Sequence, residues 1–347
     1  MFVMYKKLEG HTNLINNIIL MPNDLIVSLS SDNTIRIWDS ITGKCIKNII
    51  NTAKILCIDI FNENTIICGY MNGNIKLLNI ETDEFIIYKT LHTGSIICII
   101  LFDNNKIISG GNDSTINICD ISSNKYVIKE PLNQKILKGH TALIRCIKQL
   151  STNKLISSSY DRTVRIWNIH TNICIQQLTT TVDFIRCIEP LNEEIIIAGG
   201  RDGILLWNIK DNINWNITDN HKSETLFCLE LINKKYVVFG CWNNSVYIKE
   251  IETGKYSQEL KGHTKFVNCM TISPTNNKII SGSNDKTIII WENITEPYDY
   301  SKLRMKHTNE QTKKIKEELL SYTWHPDRVI DWCMDEEIKK GITQIFK

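Results

Sequence analysis

Short runs in which apolar and polar residues alternate, separated by polar turns, occupy most of the chain. In SSDNTIRIWDSITGK (residues 30–44), the turn Ser31-Asp32-Asn33 leads into an alternating run from Thr34 to Ile37. A second turn follows at Thr42-Gly43. Alternation with a period of two, bounded by turn-forming residues, predicts a short β-strand.

This pattern recurs along the sequence. Close copies are SSSYDRTVRIWNIHTN (157–172) and SGSNDKTIIIWENIT (281–295), while SGGNDSTINICDISSN (109–124) has a cysteine in the tryptophan place. Weaker copies begin at residues 68, 198 and 239. The tryptophan place is occupied in turn by Trp38, Leu78, Cys119, Trp167, Trp207, Lys249 and Trp291. A spacing of about 40 residues is typical of units of four strands, so the sequence predicts seven such units.

A second motif precedes the copies and indicates a family. It reads LEGHT (8–12), LKGHT (137–141 and 260–264) and, in a variant form, LHTGS (91–95). With its Gly-His and Trp-Asp marks, the chain resembles the WD-repeat family over about residues 1–295. The resemblance implies an all-β fold, a seven-bladed β-propeller. Because no strand pattern follows Trp291, we expect FVMYKKL (2–8) to supply the outer strand of the seventh blade and close the ring.

In the family, the His of Gly-His, a Ser or Thr of the second strand, the Asp of the turn and the Trp form a hydrogen-bonded chain. The resemblance implies three complete structural tetrads here: His11, Ser28, Asp32 and Trp38; His140, Ser157, Asp161 and Trp167; His263, Ser281, Asp285 and Trp291. The third unit keeps His92, Ser109 and Asp113. We interpret these residues as structural, because a buried His or Asp costs free energy unless it is paired.

Six cysteines recur at one position of the predicted first strands: Cys57, Cys98, Cys146, Cys187, Cys228 and Cys269. Asn17 holds that position in the first unit. We interpret the cysteines as small buried side chains. A shared metal site is the alternative, but zinc needs Zn–S distances of about 2.3 Å, which equivalent positions on neighbouring blades do not provide. No metal and no cofactor is expected.

Composition narrows the classes of partner. A net charge of +2 gives no support to polyanion binding, so we expect no nucleic-acid partner. No apolar run approaches the roughly 20 residues that span a bilayer, so we expect no membrane partner. Cysteines placed in apolar strand runs, without the spacing of a disulfide framework, favour a reducing, cytoplasmic location. The host-cell cytoplasm and a virus-associated location are both left open.

The narrow propeller face, which carries the tight turns and the loops before the first strands, commonly binds peptides in WD-repeat proteins. Aromatic and arginine side chains dominate binding hot spots, and at the corresponding positions they concentrate in units four to seven. The predicted partner-binding residues are Arg145, Tyr160, Phe184, Arg186, Arg201, Trp242 and Phe266. The three arginines suit an acidic or phosphorylated peptide. The alternative interpretation is that several of these side chains pack between blades.

The C-terminal segment 296–347 has a different character and forms a second predicted region after the propeller (1–295). Its apolar spacing predicts two short amphipathic helices, over 312–324 and 325–346. WHPDRVIDWCMDEE resembles a short segment found in proteins of giant DNA viruses. The segment either docks on a partner or packs on the flank of the propeller.

The resemblance implies a non-enzymatic protein–protein interaction scaffold. The alternative is a substrate-recognition subunit of a ubiquitin ligase, although no unit carries Arg two residues after the Trp-Asp pair. An enzyme of the central channel would need a convergent acid, base or nucleophile set, which the sequence does not offer. A lipid-binding propeller is a further alternative, but the sequence lacks the paired-arginine motif of that group. The oligomeric state is left open.

Overall fold

The computed structural model describes residues 1–102, 106–121, 128–129, 132–179, 184–201, 203–217, 225–273 and 278–293. In these residues the regular secondary structure consists of strands, numbered β1 to β29. They belong to a compact unit, Met1–Asn293. The two predicted C-terminal helices lie outside the described residues.

The strands form seven sheets, called blades one to seven in chain order. The first blade follows β1 (Phe2–Leu8) and contains β2 (Ile15–Leu20), β3 (Leu25–Ser30), β4 (Thr34–Asp39) and β5 (Cys45–Ile50). Blade two contains β6 (Ile55–Asn62), β7 (Thr65–Tyr70), β8 (Ile75–Asn79) and β9 (Phe85–Tyr88). Blade three contains β10 (Ile96–Phe102), β11 (Lys106–Gly111), β12 (Ile116–Asp120) and, after the short β13 (Ile128–Lys129), β14 (Leu132–Leu137).

The remaining blades repeat this order. Blade four contains β15 (Ile144–Gln149), β16 (Lys154–Ser159), β17 (Thr163–Asn168) and β18 (Ile173–Thr179). Blade five contains β19 (Ile185–Pro190), β20 (Ile195–Gly200), β21 (Gly203–Asn208) and β22 (Ile213–Asn216). Blade six contains β23 (Leu226–Ile232), β24 (Tyr236–Cys241), β25 (Val246–Glu250) and β26 (Tyr256–Leu260). Blade seven contains β27 (Val267–Ser273), β28 (Lys278–Ser283) and β29 (Ile288–Asn293).

The ring closes through the first strand of the chain. β1 pairs antiparallel with β29, with Phe2 opposite Asn293, and becomes the outer strand of blade seven. The inner strands of consecutive blades contact one another around the ring, and β27 contacts β2 to complete the circle. The predicted seven-bladed propeller and its closure by residues 2–8 are therefore confirmed.

The core lies between neighbouring blades. One cluster joins Val27 and Ile37 of blade one to Ile58 and Ile66 of blade two, and similar clusters fill the other junctions described. The second strand of each blade is buried along nearly all its length, as in LIVSLS of β3. The neighbouring blades thus cover both faces of each sheet. The apolar surface that a lone four-stranded sheet would expose to water is therefore buried.

The recurrent cysteines face the adjacent blade. The Cys57 thiol donates to the carbonyl oxygen of Ile96 in blade three (3.8 Å), and Asn17 Nδ2 donates to the carbonyl of Ile58 in blade two (3.2 Å). A glycine lies opposite most of these cysteines, as Gly199 does opposite Cys187. A Cβ at Gly199 would come within 2.8 Å of Cys187 Sγ, so the Gly–Cys pairing lets the inner strands pack closely.

Two blades depart from the common pattern. The insertion after Asp120 supplies β13, which pairs in parallel with β9 and gives blade two a fifth strand at its outer edge. In blade five, β20 and β21 stay paired up to Gly200 and Gly203, so only two residues connect them. The other blades have three or more residues in this turn. The sequence indicates this change, because one residue fewer separates Asp202 from Trp207 than separates the corresponding pair elsewhere.

Candidate interaction surface

The histidines and aspartates of the repeats lie in closed hydrogen-bond chains. In blade one, His11 Nδ1 lies 2.8 Å from Asp32 Oδ2 and His11 Nε2 lies 2.7 Å from Ser28 Oγ. Trp38 Nε1 donates to the same Ser28 oxygen at 2.8 Å. Since a carboxylate only accepts, Nδ1–H donates to Asp32 and the Ser28 hydroxyl donates to Nε2. The histidine is therefore neutral.

The same chain recurs in blades four and seven and, without the tryptophan, in blade three. The distances from the histidine Nδ1 to the carboxylate are 2.7 Å for His140–Asp161, 2.9 Å for His263–Asp285 and 3.0 Å for His92–Asp113. The distances from the tryptophan Nε1 to the serine oxygen are 2.8 Å for Trp167–Ser157 and 2.8 Å for Trp291–Ser281.

Protonation follows from this geometry. Burial alone would raise the pKa of Asp32, but hydrogen bonds from the Thr34 hydroxyl, the Thr12 amide and His11 outweigh it and lower the pKa to about 2. Burial lowers the pKa of His11, and the Asp32 carboxylate opposes this only in part. The four histidine side chains of these chains are fully buried. Histidines buried in this way can stabilise a blade but cannot contact a substrate.

Metal binding finds no support in the part of the chain that the structure describes. There, no three His, Cys, Asp or Glu side chains come together as ligands could. Nor do those residues form a helix long and apolar enough to cross a lipid bilayer.

Two backbone features bring the predicted partner-binding residues to one face of the ring. The residue that precedes the turn aspartate, or Asn243 at that position in blade six, donates its N–H to a backbone carbonyl of the loop before the first strand: Tyr160 to Leu143, Trp242 to Thr225 and Asn284 to Phe266. The turns and these loops therefore share one face, here called the turn face.

A β-bulge interrupts the first strand of every blade at one position, as between Ile144 and Cys146. The unpaired residue at the bulge is Asn16, Leu56, Ile97, Arg145, Arg186, Phe227 or Asn268 in blades one to seven, respectively. A bulge redirects a side chain out of the regular alternation of the strand. The arginines of blades four and five and the phenylalanine of blade six owe their placement to it.

Three aromatic rings stack where blades six and seven meet. The ring centroids of Trp242 and Phe266 are 4.2 Å apart, with an angle of 28° between the planes. Phe227 stacks on Phe266 at 5.8 Å and 8°. Trp242 is 57% exposed, an unusual exposure for a tryptophan, whereas the other two rings are half-buried. This group is called the Trp242 cluster below.

A second aromatic contact lies between blades four and five. The rings of Tyr160 and Phe184 are 4.9 Å apart and both residues are half-buried. Phe184 has a φ of 39°, in the left-handed region that bulky residues rarely adopt and that costs on the order of 1–3 kcal/mol. Two residues further along, the Arg186 guanidinium lies 4.5 Å from the Phe227 ring centre, within the range of a cation–π contact.

The structure thus joins five of the seven predicted residues into aromatic and cation–π contacts. Arg145 shares none of them, and Arg201 is exposed. Phe227 belongs to the cluster but is absent from the predicted set. Its position one residue before Cys228, equivalent to Arg145 and Arg186, is the sequence signal that identifies it.

Comparison with known proteins identifies three of the repeats. The model of the family described as WD domain, G-beta repeat, matches residues 2–39, 132–168 and 254–292. Each matched segment runs from an outer strand to the tryptophan of the next blade, and the three contain the three complete His–Ser–Asp–Trp chains. The chain thus contains WD40 repeats and folds as a seven-bladed β-propeller.

Among solved structures, the crystal structure of the WD40 β-propeller domain of Doa1 superimposes on the WD40 propeller with a TM-score of 0.70. It covers 85% of this chain and 98% of that domain at 19% sequence identity. This likeness concerns the fold.

Similar curated proteins match shorter segments of the WD40 propeller. The THO complex subunit 6 homolog of Danio rerio is 33% identical over 114 residues, 30% of this chain and 35% of that protein. The DDB1- and CUL4-associated factor 11 homolog of Caenorhabditis elegans is 32% identical over 80 residues, 21% of this chain and 14% of that protein. The WD repeat-containing protein 26 homolog of Arabidopsis thaliana is 33% identical over 105 residues, 29% and 18% of the two chains. The matches therefore span about a third or less of each relative.

Proposed function

We propose that this WD40 propeller is a non-enzymatic scaffold that binds a peptide segment of a partner protein on the turn face, over blades four to seven. WD40 propellers typically act as protein–protein interaction scaffolds. The observation that carries the proposal is the Trp242 cluster, in which a large exposed tryptophan is held in a fixed orientation by two stacked phenylalanines.

The cluster has the properties of a binding hot spot. Aromatic side chains contribute large contact area with few rotatable bonds, so little conformational entropy is lost when a partner covers them. Stacking on Phe266 and Phe227 fixes the exposed ring before binding. The strained Phe184 supports the same surface, because such backbone strain clusters at ligand sites.

The first test substitutes the cluster and measures peptide binding. The double variant Trp242→Ala and Phe266→Ala is compared with the natural sequence for retention by a displayed library of random peptides. We expect at least a tenfold loss of retained peptide, since hot-spot residues contribute about 1–2 kcal/mol or more each.

Met71→Ala is the matched control. Met71 occupies in blade two the turn position of Trp242, with its N–H donated to Lys54, and is 56% exposed. It should leave peptide retention unchanged. If the double variant retains the same peptides as the natural sequence while its thermal unfolding is normal, the binding surface lies elsewhere.

A second candidate is the substrate-recognition subunit of a ubiquitin ligase. It is favoured by the 80-residue similarity to a protein named for its association with DDB1 and CUL4. Co-precipitation of purified DDB1 with the full chain tests it. A stoichiometric complex would support this role, and no complex at micromolar concentrations would argue for a scaffold outside that assembly.

A further inference from the structure

A cavity of about 250 Å³ lies between the outer parts of blades one and two. One wall is formed by the end of β5 and the loop that leads to β6, residues 50–53. The other wall is the face of blade two around Tyr70, Lys76 and Phe85. Pockets for drug-sized ligands measure roughly 300–1,000 Å³. The cavity therefore suits a smaller molecule or one residue of a peptide.

Lys76 brings a positive charge to this cavity. It lies two residues before the tryptophan place, as Arg36 does in blade one. Phe85 pairs with that place, as Cys45 does in blade one. The Arg36 guanidinium donates to the Cys45 sulfur (3.9 Å), whereas the Lys76 ammonium lies 4.0 Å from the centre of the Phe85 ring. A ring face attracts the charge but cannot accept from all three N–H donors of an ammonium group.

No carboxylate lies within ion-pair distance of Lys76 among the residues that the structure describes. The charge of Asp83 acts on it, but Asp83 is bound to Lys47, with 2.8 Å between Oδ1 and Nζ. Burial lowers the pKa of Lys76, and the acidic groups of Cys68 and Asp83 oppose this only in part. An anion that enters the cavity would therefore be attracted to this half-buried ammonium.

Two further donors line the cavity. The Tyr70 hydroxyl forms no hydrogen bond within the described part of the chain, and burial raises its pKa, so it stays protonated and can donate. The Asn72 side-chain oxygen accepts from the Asn74 N–H (3.1 Å). This bond fixes the orientation of the amide and leaves its NH₂ group as a donor.

Apolar side chains supply the rest of the lining. Ile50 is 77% exposed and Phe85 is 41% exposed, while Ile87 is half-buried. A hydrocarbon group placed between them would remove apolar surface from water, which is favourable. A few polar groups among apolar walls are the usual composition of a small-ligand site.

We propose that this cavity binds a carboxylate joined to a small hydrocarbon group. The Lys76 ammonium, the Tyr70 hydroxyl and the Asn72 amide donate to the carboxylate, and Ile50, Phe85 and Ile87 cover the hydrocarbon. A carboxylate has one negative charge and two acceptor oxygens, which match one ammonium and a few donors. A phosphate group has a charge of about −1.5 to −2, which a single lysine would leave partly unpaired. The carboxylate belongs to a free acid or to the C-terminus of a peptide.

The experiment measures ligand binding to the full chain by saturation-transfer NMR at neutral pH. The probes are isovalerate, its neutral amide isovaleramide, and acetate, which lacks the hydrocarbon group. We expect isovalerate to bind with a Kd of about 1 mM, and each of the other two to bind at least about tenfold more weakly. Isovaleramide or acetate binding as tightly as isovalerate overturns the inference, and so does a lack of isovalerate binding at about 10 mM.

N-acetyl-leucine separates the two sources of the carboxylate, because it carries the backbone amide of a peptide C-terminus beside a similar hydrocarbon group. Tighter binding than that of isovalerate supports the site as one for a protein C-terminus. Weaker binding supports it as one for a free acid.

Variants assign the binding to the cavity. Lys76→Met keeps an unbranched side chain without the charge, and we expect it to lower the affinity for isovalerate to that of the natural sequence for isovaleramide. Lys54→Met is the matched control, since Lys54 is exposed in the adjoining loop but does not line the cavity. It should change nothing. Unchanged isovalerate binding by Lys76→Met overturns the inference.

Phe85→Ala keeps the test decisive if Lys76→Met fails to fold. It removes the hydrocarbon contact and leaves the charge, so we expect a loss of isovalerate affinity of at least about fivefold, with acetate binding unchanged. A Phe85→Ala variant that unfolds at the normal temperature and binds isovalerate as the natural sequence does overturns the inference. The cavity is remote in the blade order from the Trp242 cluster, so the proposed function does not depend on this result.

Discussion

Trp207 shows how far a blade depends on one hydroxyl group. Its indole is fully buried, and among the described residues its Nε1 has no hydrogen-bond acceptor. Trp38, Trp167 and Trp291 all donate to a serine two residues beyond their paired residue on the second strand. In blade five, Ile196 pairs with Trp207, and the residue two further on is Ala198. Without an oxygen there, the buried N–H is left unsatisfied.

We therefore predict that Ala198→Ser stabilises the protein. The new hydroxyl oxygen would accept from Trp207 Nε1, which is worth about 1 kcal/mol in the free energy of unfolding. Urea denaturation measures the change. Ser157→Ala is the reciprocal control, and we expect it to cost about 1–3 kcal/mol, because it leaves Trp167 Nε1 and His140 without their partner. A destabilised Ala198→Ser would mean that the blade has no room for the oxygen.

At the scale of the elements, three outer strands form hydrogen bonds to the backbone of the next blade, each through a side chain at the same position of the strand. Lys47 of β5 donates to the carbonyl of Ile80 (2.8 Å), and Gln176 of β18 donates to that of Ile209 (2.6 Å). Gln258 of β26 bonds both the N–H and the carbonyl of Phe2 in β1. The last of these contacts fixes the strand that closes the ring.

We expect Gln258→Ala to loosen β1. Loss of two hydrogen bonds to a half-buried backbone should lower the free energy of unfolding by about 1–3 kcal/mol and speed hydrogen exchange in residues 2–8. Gln176→Ala removes the equivalent hydrogen bond between blades four and five and should leave hydrogen exchange in residues 2–8 unchanged. Equal exchange of β1 in both variants would show that the ladder with β29 alone holds the strand.

At the scale of the whole molecule, the four histidine–aspartate pairs couple the fold to pH. The pKa of each of these aspartates is lowered in the folded protein, because the hydrogen bonds to its carboxylate and its electrostatic interaction with the histidine together outweigh the effect of burial. A carboxylate with a lowered pKa contributes stability above its unfolded pKa and loses it as the pH falls through the folded value. The lowered pKa of His11 acts in the same direction, since the folded state resists protonation of this ring.

The free energy of unfolding should therefore fall steeply from about pH 4 to pH 2. For Asp32, with a folded pKa of about 2, the loss is about 2 kcal/mol. Urea titrations at several pH values measure the slope. Asp32→Asn should flatten it in proportion to one of the four pairs, and an unchanged slope in that variant would assign the acid sensitivity to other carboxylates.

The sequence allows the fold to be predicted because its Gly-His and Trp-Asp motifs and its turns recur at a regular spacing. Seven turns with similar strands, and the lack of a strand after Trp291, suffice to derive both the blade count and the role of residues 2–8. The bulges could not be predicted, since a bulge depends on the register between two strands and leaves no residue pattern of its own. Phe227 has the same place before its cysteine as Arg145 and Arg186, but its stacking on Phe266 joins two blades and has no local sequence signal. The contact between Lys148 and Glu189, also from neighbouring blades, left no such signal either.

The pairing of β1 with β29 has a mechanical consequence. Phe2 lies opposite Asn293, so the two ends of the ring enter and leave the last sheet at the same edge. Tension applied between these two residues would pull across the ladder and open its hydrogen bonds one after another, like a zipper, instead of loading them together in shear. The seam thus yields to a small force, and once it has opened, blade seven keeps three strands and is joined to blade one through the packing of β27 and β28 on β2.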